Sequence, residues 1–397
     1  MLSTPIEEKT YSMCPHRDEC NGCPRMGVSY SVQEKEKKER VEKALQYYVE
    51  NAGWVPSNSL QFYRNRADFF FDQSKTLGFR RKGGHFQSFN VPSCQLLSPA
   101  SQKLYAYLAT TLSHAEWATY YSVLKQKGYL RYVVIRESKN PSSRIAIFLT
   151  FTTEDATEMN ALAETLLHEK LADGIVWIHH SAFNDSFGGT IFQTWGNPLL
   201  TEKINGISFT YNAKCFFQTN PKMAEKIQHH ITQLVPTKNK VLDLYCGVGL
   251  FSIPLAMRGN VVKGVELTPE SITYAQKNAH AHQITEQHCT FIEGNVPKYL
   301  QEMEKQKEQW NTIILDPPRS GLSKKIIRRI LRLNPTQLVY VSCNLSALIR
   351  DLEWLEEYAE YKITNATAFD LFPHTEHVET VVDIQIQKIN EYPKGGF

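Results

Sequence analysis

The chain has 397 residues, of which 42% are hydrophobic and 21% are charged, and its formal net charge is +3. This is an ordinary globular composition for two or three domains, and no apolar run approaches the length of a membrane span. The N-terminus lacks a signal peptide, so we expect a soluble cytoplasmic monomer, and the small net charge does not by itself argue for a nucleic-acid partner.

Residues 1–60 are predicted to form an N-terminal segment with a cysteine cluster and a charged helix. Cys14, Cys20 and Cys23 follow the spacing C-x5-C-x2-C, and Cys94 lies further along the chain. In a reducing cytosol this arrangement indicates a metal site and not a disulfide framework. Four thiolates could bind zinc or an iron–sulfur cluster, and the spacing alone does not distinguish these possibilities.

The cluster is followed by a charged segment, residues 31–53, that is predicted to form a helix. Its apolar side is thin and consists of Val32, Val41, Ala44 and Leu45. We interpret the rest of this charge run as a solvated helix face without a function of its own.

Residues 61–204 are predicted to form a separate central α+β domain. It contains short β-branched and aromatic runs such as "RYVVIRES", "RIAIFLTF" and "GIVWIHHS", interrupted by one helical stretch, "ATEMNALAETLLHEKL". Residues 62–86 interleave aromatic and basic side chains, which suits unpaired bases and phosphates but also suits a hairpin with a basic edge. These basic residues are Arg64, Arg66, Lys75, Arg80, Arg81 and Lys82.

Residues 205–397 are predicted to form a Rossmann-like α/β domain. The apolar runs "KVLDLYC", "VVKGVEL", "NTIILDPP" and "QLVYVSC" alternate with helical patterns, as expected for a parallel sheet with helices on both faces. Ligands bind such sheets outside the carboxyl ends of the strands. The residues that end these strands are therefore the candidate site: Asp243–Gly249, Glu266, Asp316–Pro318 and Cys343.

The first of these strands runs into a glycine turn that indicates a nucleoside-type cofactor. Gly247 and Gly249 would let the backbone approach a ligand, and Glu266 could accept hydrogen bonds from ribose hydroxyls. The third glycine of the dinucleotide fingerprint is absent, which favours S-adenosylmethionine over a dinucleotide. The alternative interpretation is a tight turn between a strand and a helix.

Two further strand ends indicate the chemistry. Asp316 begins a stiff Asp-Pro-Pro loop, which taken alone could also belong to an enzyme that methylates an adenine amino group. Cys343 lies just before a predicted helix, where the partial positive charge favours a thiolate. Methylation at C5 of a pyrimidine needs such a nucleophile, whereas adenine methylation does not. A cysteine that only fills space is the alternative.

Five motifs together resemble the RNA uracil-C5 methyltransferases over roughly residues 205–390. They are "FFQTNP" (216–221), "DLYCGVGLF" (243–251), "DPPRSG" (316–321), "SCN" (342–344) and "FPHTEHVE" (372–379). The resemblance implies S-adenosylmethionine as the methyl donor and Cys343 as the nucleophile that adds to C6 of uracil. It implies Glu379 as the base that removes the C5 proton, although its position also suits an ordinary strand-end glutamate. The implied cofactor-binding residues are Gln218, Tyr245, Gly247, Gly249, Glu266 and Asp316, and Asp316 could also face the uracil.

The same resemblance implies the partners. The cysteine pattern is similar to the [4Fe–4S] site of bacterial members, with zinc as the alternative. The central domain is similar to the RNA-contacting domain of the family. The cluster begins too early in the chain for the β-barrel TRAM domain, as in shorter members that act on 23S rRNA. The expected target is the uridine at position 747, flipped from its stack. The alternatives are a tRNA methyltransferase, a non-catalytic RNA-binding protein of the same fold and, more remotely, an NAD-dependent oxidoreductase.

Overall fold

The computed structural model describes residues 14–84, 86–183 and 188–390. Residues 1–13 of the predicted N-terminal segment and 391–397 of the predicted methyltransferase domain lie outside the described residues. Within these ranges the chain forms an eight-stranded sheet, a seven-stranded sheet and a two-stranded ribbon. No helix in the described part of the chain is long and apolar enough to cross a membrane.

The N-terminal part consists of helix α1 (Tyr30–Leu45) and strand β1 (Gly53–Val55). The predicted helix is therefore confirmed, but its buried side differs from the predicted one. Val41 and Leu45 are buried as predicted, whereas Val32 is 43% exposed and the polar Gln33 and Lys37 are buried in its place. The buried residues recur every four positions and form one stripe of the helix.

The central sheet and its helices follow in the chain. These elements are β2 (Arg66–Phe71), β3 (Leu77–Arg80), β4 (Ser88–Phe89), α2 (Pro99–His114), β5 (Leu130–Lys139), β6 (Ser142–Thr150), α3 (Ala156–His168), β7 (Gly174–His179) and β8 (Thr190–Gly196). The strand order is β4-β3-β2-β5-β6-β7-β8. Only β6 and β7 pair in parallel, because helix α3 connects them as a crossover.

The two faces of the central sheet pack against different partners. Alternate residues of a strand point to opposite faces, so Val133 packs under α2 and α3 while Val134 faces the other way. The second face packs against the ribbon of β9 (Leu200–Ile204) and β10 (Ile207–Tyr211). This contact makes one continuous core with the C-terminal sheet.

The C-terminal sheet and its helices make up the rest of the chain. These elements are α4 (Pro221–Leu234), β11 (Lys240–Leu244), α5 (Ser252–Met257), β12 (Val261–Glu266), α6 (Pro269–Ala281), β13 (Cys289–Glu293), α7 (Val296–Gln306), β14 (Thr312–Leu315), α8 (Lys324–Arg332), β15 (Gln337–Ser342), α9 (Leu345–Glu356), β16 (Ala359–Phe369) and β17 (Glu379–Ile389). The strand order is β1-β16-β17-β15-β14-β11-β12-β13. Helices α4–α6 cover one face, and α1 and α7–α9 cover the other.

The predicted Rossmann-like α/β architecture is confirmed, although the sheet is mixed. Strands β11–β15 are parallel to one another, as their alternation with helices predicts. Every residue of β14 and β15 is buried, as expected for strands covered on both faces. Strand β17 is antiparallel to β15 and β16, and β1 joins the far edge beside β16. The carboxyl ends of the parallel strands therefore meet at one edge of the sheet.

Candidate active site

A cavity of about 590 Å³ lies at this edge of the C-terminal sheet. It brings together seven of the eight residues predicted for catalysis and cofactor binding in this domain. These seven are Gln218, Tyr245, Gly247, Glu266, Asp316, Cys343 and Glu379. The remaining one, Gly249, lies in the turn behind the cavity. The four predicted cysteine ligands are elsewhere, in the N-terminal and central parts of the chain.

The glycine turn after β11 requires backbone conformations that ordinary side chains rarely adopt. Tyr245, Gly247 and Gly249 all have positive φ angles, of 67°, 53° and 90°. A Cβ at Gly249 would also lie 3.0 Å from Ile253 Cδ1 and 3.1 Å from Phe291 Cζ, so the space behind the turn is already filled. A β-carbon at Gly249 would therefore force the turn or these two side chains to shift. Gly249 therefore shapes the site without lining it.

Glu266 ends the next strand, and the backbone fixes its carboxylate. One oxygen accepts a hydrogen bond from the Gly247 N–H at 3.3 Å, and the other accepts one from the Thr268 N–H at 2.8 Å. Two N–H donors on separate loops orient the carboxylate beside the glycine turn. Its remaining lone pairs face the cavity and can accept hydrogen bonds from a ligand's hydroxyls.

The base of the site concentrates carboxyl groups in a low-dielectric environment. Burial, and then the nearby charges of Asp243 and Glu266, raises the pKa of Asp316 to about 7. Burial also raises the pKa of Asp243 to about 7. One oxygen of this carboxyl accepts a hydrogen bond from Ser252 Oγ at 2.5 Å. The other oxygen of Asp243 has no hydrogen-bond partner among the described residues. Such a cluster of carboxyl groups suits a cationic ligand. The cavity is also lined by two basic side chains, Arg319 and His377.

Cys343 lies between the end of β15 and the start of α9, as the sequence predicts. Its predicted electrostatics are wrong for the free protein. Burial, followed by the charges of Glu379 and Asp316, raises the pKa of the Cys343 thiol to about 11. The half-charge of a helix end is outweighed because burial desolvates the sulfur and because the charges of Glu379 and Asp316 also disfavour the thiolate. The resting side chain at neutral pH is therefore a thiol.

Glu379 is the first residue of β17 and is only 3% exposed. Burial, and then the charge of Asp316, raises its pKa well above the ordinary value. Ser342 pairs with Thr380 in the antiparallel register of β15 and β17. Cys343 and Glu379 are each one residue beyond that pair, so both come to the wall of the same cavity.

The loop that leads into Glu379 is fixed from the N-terminal part of the chain. Lys37 on α1 donates a hydrogen bond to Asp370 at 2.7 Å, and these side chains are 3% and 0% exposed. The His374 backbone N–H donates to Gln33 Oε1 at 2.9 Å, and its ring nitrogens lie 3.2 Å from Gln33 Nε2 and 3.1 Å from the Leu60 carbonyl oxygen. The interpretation of the α1 charge run as wholly solvated is therefore wrong at Lys37.

An amide side chain, Gln218, and an aromatic side chain, Phe216, also line the cavity. Gln218 is buried beside the start of α4, and its backbone carbonyl accepts a hydrogen bond from the Asn65 side chain at 3.0 Å. Phe216 lines the cavity and is 62% exposed, whereas Phe217 is buried in the core. The two adjacent phenylalanines cannot be told apart in the sequence, because which one faces the core depends on the preceding turn.

The four predicted metal ligands lie near one another but do not form a recognisable ion site. The described residues contain no group of three or more His, Cys, Asp or Glu side chains arranged to bind a metal ion, so this prediction is not supported. Burial, followed by the nearby charges of Cys94, Cys20 and Cys14, raises the pKa of Cys23 to about 12. The Gly22 N–H also donates to Cys20 Sγ at 3.3 Å. An all-sulfur set with such donors is chemically compatible with zinc or an iron–sulfur cluster.

The basic segment of the central domain forms a hairpin of β2 and β3, as its alternative interpretation expects, and its contact with RNA stays a prediction. Several of its cations have partners inside the protein. Arg66 pairs with Asp68 at 2.9 Å, Arg81 pairs with Glu19, and Lys75 donates to the Ala115 carbonyl at 2.7 Å. The two ion pairs reduce the positive charge that this hairpin offers to another molecule, and the hydrogen bond holds the Lys75 ammonium against the protein.

Comparison with known proteins identifies the family. A family model described as tRNA (uracil-5-)-methyltransferase matches residues 200–387. An uncharacterized RNA methyltransferase of Caldanaerobacter subterraneus is 32% identical over 93% of this chain and 84% of its own length. A tRNA (uracil(54)-C(5))-methyltransferase of Pyrococcus horikoshii is 31% identical over 96% of this chain and 87% of its own length.

A solved structure leads to the same family. The crystal structure of Pyrococcus abyssi tRNA (uracil-54, C5)-methyltransferase in complex with S-adenosyl-L-homocysteine matches with a TM-score of 0.77 and 27% identity. The match covers 92% of this chain and 86% of that protein. With relatives above 30% identity along most of their length and a common fold, the chain belongs to the family of RNA uracil-C5 methyltransferases.

Proposed function

We propose that this chain methylates C5 of a uridine in 23S rRNA, with S-adenosylmethionine as the donor, Cys343 as the nucleophile and Glu379 as the base. The observation that carries the proposal is the convergence of Cys343, Asp316 and Glu379 on one cavity beside the glycine turn. A thiol and two carboxyls of raised pKa form a site for covalent and proton-transfer chemistry on one ring.

The cofactor would occupy the part of the cavity beside the glycine turn. Glu266, fixed by two backbone N–H groups, would accept hydrogen bonds from the ribose hydroxyls. Tyr245, Gln218 and Asp316 line the same space, and the carboxyl cluster suits a positively charged ligand. S-adenosylmethionine supplies an electrophilic methyl group on a sulfonium centre.

The protein's own groups would carry the remaining chemistry. The Cys343 thiol first gives up its proton to solvent, and the resulting thiolate adds to C6 of uracil, which forms a carbon–sulfur bond and makes C5 nucleophilic as part of an enolate. After C5 has gained the methyl group, Glu379 removes the C5 proton, and the electron pair of that bond expels Cys343. This covalent route divides one difficult substitution into easier steps. The charge of Asp316 acts on both groups, and this carboxyl would contact the uracil edge.

The RNA class is the finer part of the proposal. The cysteine set of this chain supports 23S rRNA, because the resemblance links that pattern to the ribosomal enzymes. A tRNA is the second candidate, because the Pyrococcus relatives that match almost the whole chain are named as tRNA (uracil(54)-C(5))-methyltransferases. Central-domain cations that have no ion pair with any described residue, such as Lys82, would contact either RNA.

We also propose that Cys14, Cys20, Cys23 and Cys94 bind a [4Fe–4S] cluster, with zinc as the alternative. Support comes from the all-sulfur donor set, from the mutual proximity of the thiols and from the N–H donor to Cys20 Sγ. The cluster would connect the N-terminal segment to the central domain, because Cys94 lies beyond β4. The reaction contains no redox step, so we assign the cluster a structural role.

Two RNA substrates would test the proposed function directly. Purified enzyme and S-adenosylmethionine would be incubated with unmodified 23S rRNA and, separately, with unmodified tRNA, and the products analysed by mass spectrometry of nucleosides. The proposal predicts 5-methyluridine in 23S rRNA and none in tRNA. Methylation of tRNA alone would assign the second candidate, and no 5-methyluridine in either RNA would contradict the proposed function.

A further inference from the structure

A second cavity, of about 670 Å³, opens beside Cys343 on the side of helices α1 and α9. It is distinct from the cofactor cavity, but Cys343, Arg319 and His377 line both. A molecule lying in the second cavity would therefore pass directly beside the proposed nucleophile. The chemistry described above requires only the first cavity.

The walls of the second cavity carry an excess of positive charge. Its charged lining residues are Arg40, Lys43, Arg319, Arg350, Glu353 and Glu376. Glu376 is already neutralised, because Arg40 approaches it at 3.0 Å and Arg25 at 3.3 Å. Arg350 pairs with Asp351 at 2.6 Å behind the wall. The two remaining cations of the lining are Lys43 and Arg319.

Lys43 and Arg319 have no ion pair with any residue in the described ranges, and both are exposed. Arg319 Nη2 lies 3.4 Å from Nδ1 of the His377 ring. Its backbone is fixed, since the Arg319 carbonyl accepts a hydrogen bond from the Asn344 side chain at 3.0 Å. Two unpaired cations thus face one concave surface, one at its outer wall and one at the junction with the cofactor cavity.

We propose that this second cavity binds phosphate groups of the RNA strand that carries the target uridine, with Lys43 and Arg319 each contacting a phosphate. The inference rests on the proposed function and adds the path of the RNA backbone. Phosphates are the chemical class that unpaired cations on a polar surface recognise, and they supply most of the affinity for RNA. A base that leaves its stack to reach Cys343 keeps its flanking phosphates outside the catalytic cavity, where this second cavity lies.

The test compares Lys43→Gln with a matched control on the same helix. Lys38→Gln removes the same charge from α1, but Lys38 pairs with Glu42 and does not line the cavity. Binding of the substrate RNA would be measured by fluorescence anisotropy at several salt concentrations. We expect Lys43→Gln to raise the Kd roughly fivefold to tenfold. It should also reduce the slope of log Kd against log salt by about 1. The control should match the wild type.

Further measurements separate this inference from the proposed function. The affinity for S-adenosylmethionine should be unchanged in Lys43→Gln, which excludes a disturbed active site. If the wild type methylates RNA but Lys43→Gln binds that RNA with unchanged Kd and salt slope, the inference is wrong and the function stands. If the wild type methylates no RNA but Lys43→Gln still weakens RNA binding, the function is wrong and the binding surface stands.

Discussion

Cys343 and Glu379 are each one residue beyond the Ser342–Thr380 pair of two antiparallel strands, so the proposed nucleophile and base share one cavity wall. The two groups are close enough to interact, since burial and then the charge of Glu379 raise the pKa of the Cys343 thiol. A pyrimidine ring that reaches the thiol with C6 would present its neighbouring C5 within the same cavity. The pairing of β15 with β17 is thus the structural basis of the proposed two-residue mechanism.

Replacing Glu379 with Gln should stop the reaction after methyl transfer. The amide cannot remove the C5 proton, so the RNA should remain bonded to Cys343, and turnover should fall by roughly a hundredfold or more. Denaturing gel electrophoresis of labelled RNA would show the retained complex, and tritium release from C5-labelled uridine would measure turnover. The control is Glu360→Gln, an exposed glutamate on β16 that should behave as wild type. A Glu379→Gln enzyme that turns over normally would remove Glu379 from the mechanism.

The charge of the cofactor should activate the thiol. In the free enzyme the pKa of Cys343 is about 11, so alkylation by iodoacetamide should accelerate steadily from pH 7 to pH 10 as the thiolate fraction rises. S-adenosylmethionine brings a positive sulfonium, which should move this profile to lower pH. S-adenosylhomocysteine has nearly the same shape without that charge and should leave the profile in place. Identical profiles with both ligands would contradict this explanation.

Lys37→Met should destabilise the protein by about 3 kcal/mol, because it leaves Asp370 buried without its cationic partner. Methyl transfer should also decrease, since Asp370 begins the loop that positions Glu379. Urea unfolding would measure the first effect and single-turnover kinetics the second. Lys38→Met is the control, because the exposed Lys38–Glu42 pair contributes little. Equal stability of the two variants would show that the buried pair is not needed.

The iron content of anaerobically purified protein tests the cysteine set. We expect a brown protein with about four irons per chain, as for a [4Fe–4S] cluster. Cys94→Ser should lose most of this iron, whereas Cys289→Ser, at a buried cysteine on β13, should retain it. A colourless protein with one zinc per chain would assign the alternative metal.

Local patterns in the sequence predict the strand ends of the C-terminal sheet well. The alternation of apolar runs and helices places Asp316 and Cys343 correctly, because each motif and the strand before it are neighbours in the chain. Gly249 is predicted as a cofactor residue but acts from behind the turn, since its available space is set by Phe291 from another strand.

Relationships between distant residues are what the sequence cannot supply. The charge run on α1 looks solvated until Asp370, 333 positions later, is placed against Lys37. The reactive state of Cys343 depends in the same way on carboxyls brought from β14 and β17. The RNA substrate is even harder to predict from the sequence, because recognition of one RNA over another depends on the shape of a surface assembled from several elements.

The most direct test of the central claim is to trap the covalent step. The enzyme would be incubated with S-adenosylmethionine and substrate RNA containing 5-fluorouridine. This nucleotide carries fluorine at C5 in place of the hydrogen, and a base cannot remove the fluorine as it removes a proton. Mass spectrometry of the digested complex should find a peptide containing Cys343 bonded to methylated fluorouridine. If no such peptide forms while the same enzyme methylates ordinary RNA, the covalent mechanism is contradicted.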